Sequence, residues 1–548
     1  MKKIAFLSLL RLQRYGGFGD YTIKQQRCDE KSAFGVSFCR NVADFWRRKS
    51  NKNKIFAAFC LHKSCISQNL IVPLHAEKKK NTCNMKSQRY FLVFVLVLVA
   101  SFVEGVSAQI RFMIASDPHV MAQELYDVPY GIAFQSELHN DLKVVEDSQW
   151  LFEDFVHRVV SAHPDILLVP GDMTKDGEKV SHELVAQKLE EVRRAGIKVY
   201  VVPGNHDIEN PLARRYRGIM ALKEPSISLK EFTEIYEADG YGEAVMMDTL
   251  TSSYMVYPTK DLAIICINSV IPNEYKSRYV HGRVHWPLLK WIEAAARKAE
   301  EDHRMVLGMM HHEIMEHHDQ ESTFAPTAMT NMEHIAGLPS IAEVRNVLRQ
   351  SGIEVVITGH YHIQSIKQMM TPYGEITDVT TGALSGFPSA YRHMTLSPEK
   401  GEVRITSDNL FETKTSEWPT AEIARKEWDR LSYMVQLYVP RIGGKKTDMT
   451  VAYEYLSKPF TTALCALAAG DEESHDPQAV IDECMKAWDK YVDHVLEYNV
   501  VAISNVKAEK NGPYQRLRDL MTSIMYNYVW NRKNNTPDNA FVVKIKKK

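Results

Sequence analysis

The stretch Val201-Val-Pro-Gly-Asn-His-Asp207 decides how the rest of this chain is interpreted. An apolar strand from Ile197 to Val202 is predicted to run into a tight Pro-Gly turn. The turn is followed by an amide, an imidazole and a carboxylate in succession. A hydrophobic core has no use for three polar side chains at the end of a strand, because burying them without partners costs free energy. The stretch therefore predicts a metal or catalytic site.

Further polar fragments follow short apolar runs elsewhere in the chain. They are Asp117-Pro-His119, Gly171-Asp172, His311-His312 and Gly359-His-Tyr-His362. Between the fragments, strand-like runs alternate with segments of helical spacing, which favours parallel strands joined by crossover helices. Open α/β sheets bind ligands at the carboxyl ends of their strands. We therefore expect the fragments to converge.

The fragments contain seven oxygen or nitrogen donors: Asp117, His119, Asp172, Asn205, His311, His360 and His362. One transition metal binds about four to six donors, so this number indicates two metals, with a carboxylate bridging ions about 3.5–4 Å apart. Mixed imidazole and carboxylate donors suit iron, manganese or zinc, and suit calcium poorly. Asp117 and His119 are two residues apart, as are the histidines of the last fragment. In an extended backbone such residues face one side, so each pair is expected to enter one pocket.

The ordered set Asp-x-His, Gly-Asp, Gly-Asn-His-Asp, His and Gly-His-x-His resembles the calcineurin-like metallophosphoesterases over residues 110–407. The resemblance implies an α/β fold, a four-layer α/β/β/α sandwich. It also implies the following metal ligands: Asp117, His119, Asp172 and His362 for the first ion, and Asp172, Asn205, His311 and His360 for the second. Asp172 would then bridge the two ions.

The resemblance further implies hydrolysis of a phosphate ester by a hydroxide between two metal ions, because metals lower the pKa of bound water. His206, beside the ligand Asn205, is expected to protonate the leaving alkoxide as a general acid. Asp207 is expected to orient His206 or a metal-bound histidine. Of two adjacent histidines, the family pattern favours His311 over His312 as the ligand.

Four nearby side chains are given no ligand role. Asp176 is interpreted as a turn former before Gly177. His317 and His318 are interpreted as exposed loop histidines. Arg392 is interpreted either as a phosphate contact or as a member of a surface ion pair.

The motifs leave the substrate open. A phosphomonoesterase and a phosphodiesterase acting on cyclic nucleotides or phospholipid head groups share this core. The insertion 208–250 and the loops near 120–146 and 313–335 are expected to distinguish them. A non-catalytic binding module is disfavoured because every donor and His206 are present.

Charge is divided unevenly along the chain. Residues 1–84 carry 17 Lys and Arg against 5 Asp and Glu, and the remainder carries 50 against 63. An acidic body argues against a nuclease or another nucleic-acid binder. Five of the 8 cysteines lie in the first 84 residues, and so sparse a set is not typical of a disulfide framework. We expect a small phosphate ester as substrate; the oligomeric state stays open.

Residues 85–108 have the composition of a secretory signal peptide. Lys86 and Arg89 precede an apolar run from Tyr90 to Val103, and Val106-Ser-Ala108 fits cleavage before Gln109. The run is short for a membrane span, so we expect an exported periplasmic or secreted protein without a stable membrane anchor. Residues 1–84 are interpreted as a spurious or disordered extension.

We predict a catalytic domain over residues 109–409 and a helical C-terminal domain over 410–548. Within the first, residues 120–146 are expected to be irregular. The insertion 208–250 is expected to hold one helix, opened by Ser228 and Glu231 at capping-box spacing. Asp476-Pro477 is expected to begin a C-terminal helix.

Overall fold

The computed structural model describes residues 109–270 except 142, 282–317, and 337–410 except 387. It also describes parts of the C-terminal region: 441–442, 445–446, 450–459 and 476–518 with short gaps, and 540–545. The predicted extension 1–84 and the predicted signal peptide 85–108 lie outside the described residues. Within these ranges, no helix is both long enough and apolar enough to cross a membrane.

The strands are, in chain order, β1 Ile110–Ile114, β2 Ile166–Val169, β3 Lys198–Val201, β4 Arg214–Arg217, β5 Met220–Lys223, β6 Met246–Met247, β7 Tyr254–Thr259, β8 Leu262–Ile267, β9 Met305–Met310, β10 Val355–Thr358, β11 Ser365–Thr371, β12 Gly374–Thr380, β13 Ala390–Ser397, β14 Glu402–Asn409, β15 Arg441–Ile442, β16 Lys445–Lys446 and β17 Ala540–Lys544. The helices are α1 Ile132–Asn140, α2 Ser148–Ala162, α3 Lys179–Arg194, α4 Leu229–Ile235, α5 Trp286–Glu301, α6 Ile341–Gln350, α7 Pro477–Val495 and α8 Val500–Ala508.

Most of these strands form two large mixed sheets. The first has the order β17-β14-β13-β1-β2-β3, in which β1, β2 and β3 are parallel. The second has the order β11-β12-β10-β9-β8-β7-β6, with a parallel centre of β12, β10, β9 and β8. The central strands are continuous apolar runs because both of their faces are buried, as β2 illustrates with Ile-Leu-Leu-Val.

The side chains of β8 alternate between two cores, because successive residues of a strand point to opposite faces. Ile264 belongs to the hydrophobic cluster that contains Leu167 of the first sheet. Its neighbour Ile265 belongs to a second cluster with Ile292 of α5 and Val344 of α6. The two sheets therefore pack against each other, and α5 and α6 cover the outer face of the second sheet.

Helix α2 covers the outer face of the first sheet. The ring of Phe155 in α2 lies 5.4 Å from that of Tyr391 in β13. The next residue, Arg392, points the other way and bonds to carbonyl groups of the second sheet. Helix, sheet, sheet and helix thus form the four layers, and the predicted fold class is confirmed.

Several local predictions are also confirmed. Helix α4 begins with the predicted capping box: Ser228 accepts the Glu231 N–H, and the Glu231 carboxylate accepts the Ser228 N–H. Segments 253–257 and 262–268, whose sequences predict a hairpin, pair antiparallel as β7 and β8. Helix α7 has Asp476 as its N-cap and proline in its first turn.

Other local predictions are wrong. Residues 120–146 contain helix α1, whose apolar spacing is too short to recognise by periodicity. The insertion 208–250 contains the β4–β5 hairpin in addition to α4. Strand β13, which pairs with β1, is absent from the predicted elements. The C-terminal region contains helices α7 and α8, as the predicted helical domain requires, and in addition β17, which pairs antiparallel with β14 at an edge of the first sheet.

Candidate metal centre

The candidate ligands lie in loops that follow parallel strands of both sheets. Asp117, Asp172 and Asn205 follow β1, β2 and β3 of the first sheet. His311 follows β9 of the second sheet, and His360 and His362 follow β10. Because the two sheets are packed face to face, these loops meet along one rim of the sandwich. The structure brings all seven predicted donors together there.

Most of these ligands adopt an unusual backbone conformation. Asp117, His119, Asp172, His360 and His362 have φ values of 53°, 42°, 51°, 68° and 59°. The left-handed region is unfavourable for side chains other than glycine and is often found at functional sites. The extended backbone assumed for residues two apart is therefore wrong, although both pairs do enter one pocket. Sharp turns, rather than an extended strand, direct these side chains into the pocket.

Two glycines allow the loops to approach one another closely. A Cβ atom on Gly204 would collide with the carboxylate and backbone of Asp172. A Cβ atom on Gly359 would collide with Ser116 and with the carboxylate of Asp117. The glycines of Gly-Asn-His-Asp and Gly-His-x-His are thus required by the space that the ligands occupy.

The first group of donor atoms surrounds the Asp117 carboxylate. Asp117 Oδ1 lies 3.4 Å from His362 Nε2 and 3.8 Å from His119 Nε2. The two Nε2 atoms are 3.2 Å apart, and His119 Nε2 is 3.6 Å from Asp172 Oδ2. Asp117 Oδ2 instead accepts the backbone N–H of His360 at 3.0 Å, which fixes the carboxylate and leaves Oδ1 for the centre of the group.

The second group of donor atoms surrounds His311. Its Nδ1 donates to the Pro170 carbonyl oxygen at 2.8 Å, so Nε2 carries no proton in the neutral ring and is the ligand atom. This Nε2 lies 3.2 Å from Asn205 Oδ1, 3.3 Å from Asp172 Oδ2 and 3.3 Å from His360 Nδ1. Asp172 Oδ2 therefore belongs to both groups, as a bridging carboxylate atom would.

The arrangement fits two transition-metal ions. Ligands at about 2.1 Å from an ion lie about 3–3.5 Å apart, close to the separations in both groups. Asp117 Oδ1 is buried and has no hydrogen-bond partner among the described residues. Burial lowers the pKa of His311, but the carboxylate of Asp172 outweighs it and raises the pKa to about 9. A proton there compensates negative charge that a bound cation would otherwise neutralise.

His206 lies beside the first group of donor atoms but does not belong to it. Its Nδ1 donates to the Lys175 carbonyl oxygen at 2.7 Å and lies 3.0 Å from Asp176 Oδ1. Its ring is perpendicular to that of His119 at 4.8 Å, and its side chain is 21% exposed. Burial and Lys143 lower its pKa, but Asp172 and Asp176 outweigh them and raise it overall.

The prediction that Asp207 orients His206 or a metal-bound histidine is wrong. The Asp207 carboxylate accepts the backbone N–H groups of Gly204, Met173 and Thr174 at 2.8, 3.1 and 2.9 Å. Because it is buried and bonds to backbone donors on both loops, it ties the loop carrying Asp172 to the loop carrying Asn205. Asp207 therefore shapes the two ligand loops.

Asp176 is the carboxylate that contacts His206, and its interpretation as a simple turn former is incomplete. It is buried and receives Lys175 Nζ at 2.6 Å and Asn210 Nδ2 at 3.1 Å as well as the His206 ring. Lys175 is also bound by Glu137 at 2.7 Å. The sequence offered one weak signal: Asp176 follows the bridging residue by four positions in a loop that has no apolar spacing.

The structure also gives the surroundings of three other side chains that the sequence analysis considered near the site. His317 is 1% exposed and bonds to Thr380, so the interpretation as an exposed histidine is wrong; His318 lies outside the described residues. Arg392 is fully buried and bonds to the carbonyl groups of Thr380 and Ser365, so it is neither a surface ion pair nor a phosphate contact. His312 bonds through Nδ1 to Ser269 at 2.8 Å.

The match to a known protein family agrees with this site. Residues 110–364 match the family model described as calcineurin-like phosphoesterase. No curated protein matches the sequence. Among solved structures, the chain is similar to a dimetal phosphatase from Danio rerio, with 13% sequence identity and a TM-score of 0.37 over 55% of this chain and 97% of that chain.

It is also similar to the purple acid phosphatase PPD1 from yellow lupin (Lupinus luteus), with 10% identity and a TM-score of 0.34 over 56% of this chain. The match spans 52% of the lupin protein. Residues 110–364, which contain the ordered motifs, thus match the calcineurin-like phosphoesterase family, and this match supports a metal-dependent phosphoester hydrolase.

Proposed function

We propose that this protein hydrolyses a phosphate ester at a pair of metal ions, with His206 as the general acid. The observation that supports this proposal best is the convergence of seven donor side chains into two groups that share Asp172 Oδ2. A structural site has no need of a shared carboxylate between two groups, whereas paired metal ions that act on one phosphate do.

The residues divide naturally between the two ions. One ion would be held by Asp117, His119, Asp172 and His362, and the other by Asp172, Asn205, His311 and His360. When bound, such a pair of manganese, iron or zinc ions supplies a hydroxide nucleophile at neutral pH and neutralises the phosphate oxygens. The His206 backbone N–H donates to Asp172 Oδ1 at 2.8 Å, which turns Oδ2 towards both groups.

The surroundings of His206 support its role as proton donor. Since Nδ1 is occupied by the Lys175 carbonyl oxygen and Asp176, Nε2 is the nitrogen available to the substrate. The raised pKa favours the imidazolium, in which Nε2 carries a proton that the leaving alkoxide needs. After transfer, the Nδ1 bonds keep the ring in place for reprotonation by water.

Two variants separate a proton donor from a metal ligand. His206→Ala should retain both metal ions and slow turnover most for esters with poor leaving groups, because a positioned acid contributes about 10²–10⁴ in rate. Nitrophenyl esters should suffer less, since their leaving group is stable as an anion. Asp172→Asn should lower metal content and slow all substrates alike. Metal analysis and rates across a leaving-group series provide the measurements.

The opposite pattern would show that the assignment is wrong. If His206→Ala loses a metal ion, or shows the same penalty for every leaving group, His206 is a ligand or a structural residue. If the wild-type protein loaded with manganese, iron or zinc hydrolyses no phosphate ester at all, the proposed function itself fails.

We also propose that the protein is exported. The support is the sequence of residues 85–108, with its basic start, apolar run and small residues before Gln109. Sequencing the N-terminus of protein isolated from its native host should give Gln109. Recovery of an intact chain beginning at Met1 would contradict both the export and the cleavage.

A further inference from the structure

The β4–β5 hairpin presents large apolar side chains to solvent at its turn. Ile219, in the two-residue turn, is 78% exposed, and Met220, the first residue of β5, is 53% exposed. Apolar surface left in water costs free energy in proportion to its area. Single exposed apolar side chains are common, but several in one place usually mark an interaction surface.

Two more exposed apolar side chains lie beside this turn, because it packs against the segment that leads into α1. The Gly218 carbonyl oxygen accepts the Ala133 N–H at 3.0 Å, and the Gly218 N–H donates to Asp127 Oδ2 at 2.6 Å. Next to these bonds, Val128 and Ile132 are 62% and 68% exposed. Four exposed apolar side chains thus lie within two residues of the bonds at the turn. We call them the apolar tip: Val128, Ile132, Ile219 and Met220.

The hairpin itself is cationic. Residues 213–223 contain no acidic residue and four basic ones: Arg214, Arg215, Arg217 and Lys223. Arg214 and Lys223 face each other across the two strands at the end away from the turn, and we call this pair the cationic base. The other two arginines pair with Glu224 and Asp127. Within the described part of the chain, no carboxylate forms an ion pair with either residue of the cationic base.

Apolar and unpaired cationic groups are thus separated along the length of the hairpin. From Met220 to Lys223 the strand spans about 10 Å, at about 3.3 Å per residue. The head-group layer on one side of a bilayer is about 5–8 Å thick. The turn can therefore reach the acyl boundary while the cationic base stays at the level of the phosphates. An apolar layer beneath an anionic surface is a property of membranes, which favours a membrane over a soluble protein as the partner.

We infer that the apolar tip and the cationic base dock this protein on the surface of an anionic phospholipid membrane. The apolar tip buries its area at the acyl boundary, and Arg214 and Lys223 contact lipid phosphates. The contact is peripheral and reversible. The inference goes beyond the proposed function and does not depend on it, since vesicle binding is measured without turnover.

The test measures co-sedimentation with vesicles of phosphatidylglycerol and phosphatidylcholine in equal parts, and with vesicles of phosphatidylcholine alone. The variants are the double substitution Ile219→Ser with Met220→Ser, and Lys223→Gln. The matched control is Met370→Ser, because Met370 is 72% exposed in β11 of a different hairpin. All are made in the full chain, so that the apolar run from Tyr90 to Val103 contributes equally to each.

For the double variant we expect the association constant with the mixed vesicles to fall about ten-fold or more, the effect of losing one buried aliphatic side chain. Lys223→Gln should lower it about five-fold, because each cation at an anionic surface contributes about that factor. Added salt should remove this second difference. Phosphatidylcholine vesicles should bind the wild type more weakly, and Met370→Ser should match the wild type.

Hydrogen exchange of the wild-type protein locates the contact directly. Exchange of the backbone amides in residues 213–223 should slow on the mixed vesicles, because the docked turn is shielded from water. Exchange in the β11–β12 hairpin should stay the same. This measurement needs no substitution, so it decides the matter even if a variant is unstable.

Three results would overturn the inference. The first is a wild-type protein that does not bind the mixed vesicles, or that binds them no better than the double variant does. The second is unchanged hydrogen exchange in residues 213–223, which would assign any binding to another part of the chain. The third is a wild-type dimer in size-exclusion chromatography that the double variant converts to a monomer without any effect on vesicle binding. That result would make the apolar tip an interface between two copies of this chain.

Discussion

The contact between Asp176 and His206 gives a prediction about pH dependence. Asp176→Asn keeps the shape of the side chain and removes its negative charge. In the structure Asp176 Oδ1 lies 3.0 Å from His206 Nδ1 and contributes to the raised pKa of that ring. The substitution should lower the pKa of His206, because an amide stabilises an imidazolium less than a carboxylate does.

The magnitude follows from the bond that is lost. A hydrogen bond to a charged group contributes about 1.5–3 kcal/mol, and one pKa unit corresponds to about 1.36 kcal/mol. The pKa of His206 should therefore fall by about one to two units. Since the acid is active when protonated, and activity is lost as pH rises through its pKa, the alkaline limb of the kcat/KM profile should move to lower pH by the same amount.

The assay is a pH profile of kcat/KM with a poor leaving group, at fixed metal loading and below the unfolding temperature. The temperature matters because the substitution would leave buried Lys175 with Glu137 as its remaining carboxylate, at a cost of about 1–3 kcal/mol in stability. Asp165→Asn serves as control, because Asp165 pairs with Arg111 on the surface. An alkaline limb that stays in place or moves to higher pH would refute the reasoning.

Two further substitutions and one truncation test parts of the fold. Ser228→Ala should lower the free energy of unfolding by about 1 kcal/mol in denaturant titration and leave kcat unchanged, because Ser228 caps α4 with Glu231 and touches no ligand. Asp378→Asn should destabilise the protein by about 1–3 kcal/mol and reduce its metal content, because the buried Asp378 carboxylate accepts two backbone N–H groups in the loop after His311. A normal metal content in this variant would contradict the prediction. Truncation after Asn409 removes β17, so it should lower the melting temperature of the protein more than its metal content. A stable, metal-loaded but inactive fragment would instead show that the C-terminal region contacts the substrate.

Local sequence patterns were enough to predict the parallel strands and the donors that follow them. Continuous apolar runs such as Ile166–Val169 bury both faces of a central strand, and a polar motif at the end of such a run needs a partner there. The capping box at Ser228 was likewise local, since two residues three positions apart form it through reciprocal side-chain to backbone bonds. The order of five short motifs was enough to indicate the family.

Which carboxylate contacts which histidine, by contrast, depends on the packing of separate loops. Asp207 is adjacent to His206 in sequence, yet its carboxylate bonds to backbone groups, and Asp176 from another loop contacts the ring. Proximity along a chain does not fix direction when the backbone turns sharply, as the positive φ of Asp172 illustrates.

The same holds for the contact of Ser385 with the Asp117 loop and for β17. The Ser385 hydroxyl donates to the Asp117 carbonyl oxygen from a segment far away in the sequence, and no local motif predicts this bond. Strand β17 is separated from its partner β14 by more than a hundred residues, and its short apolar run fits a tail as well as a strand. Contacts between distant segments depend on how whole layers pack, because hydrophobic burial is non-directional and local patterns do not specify the partner.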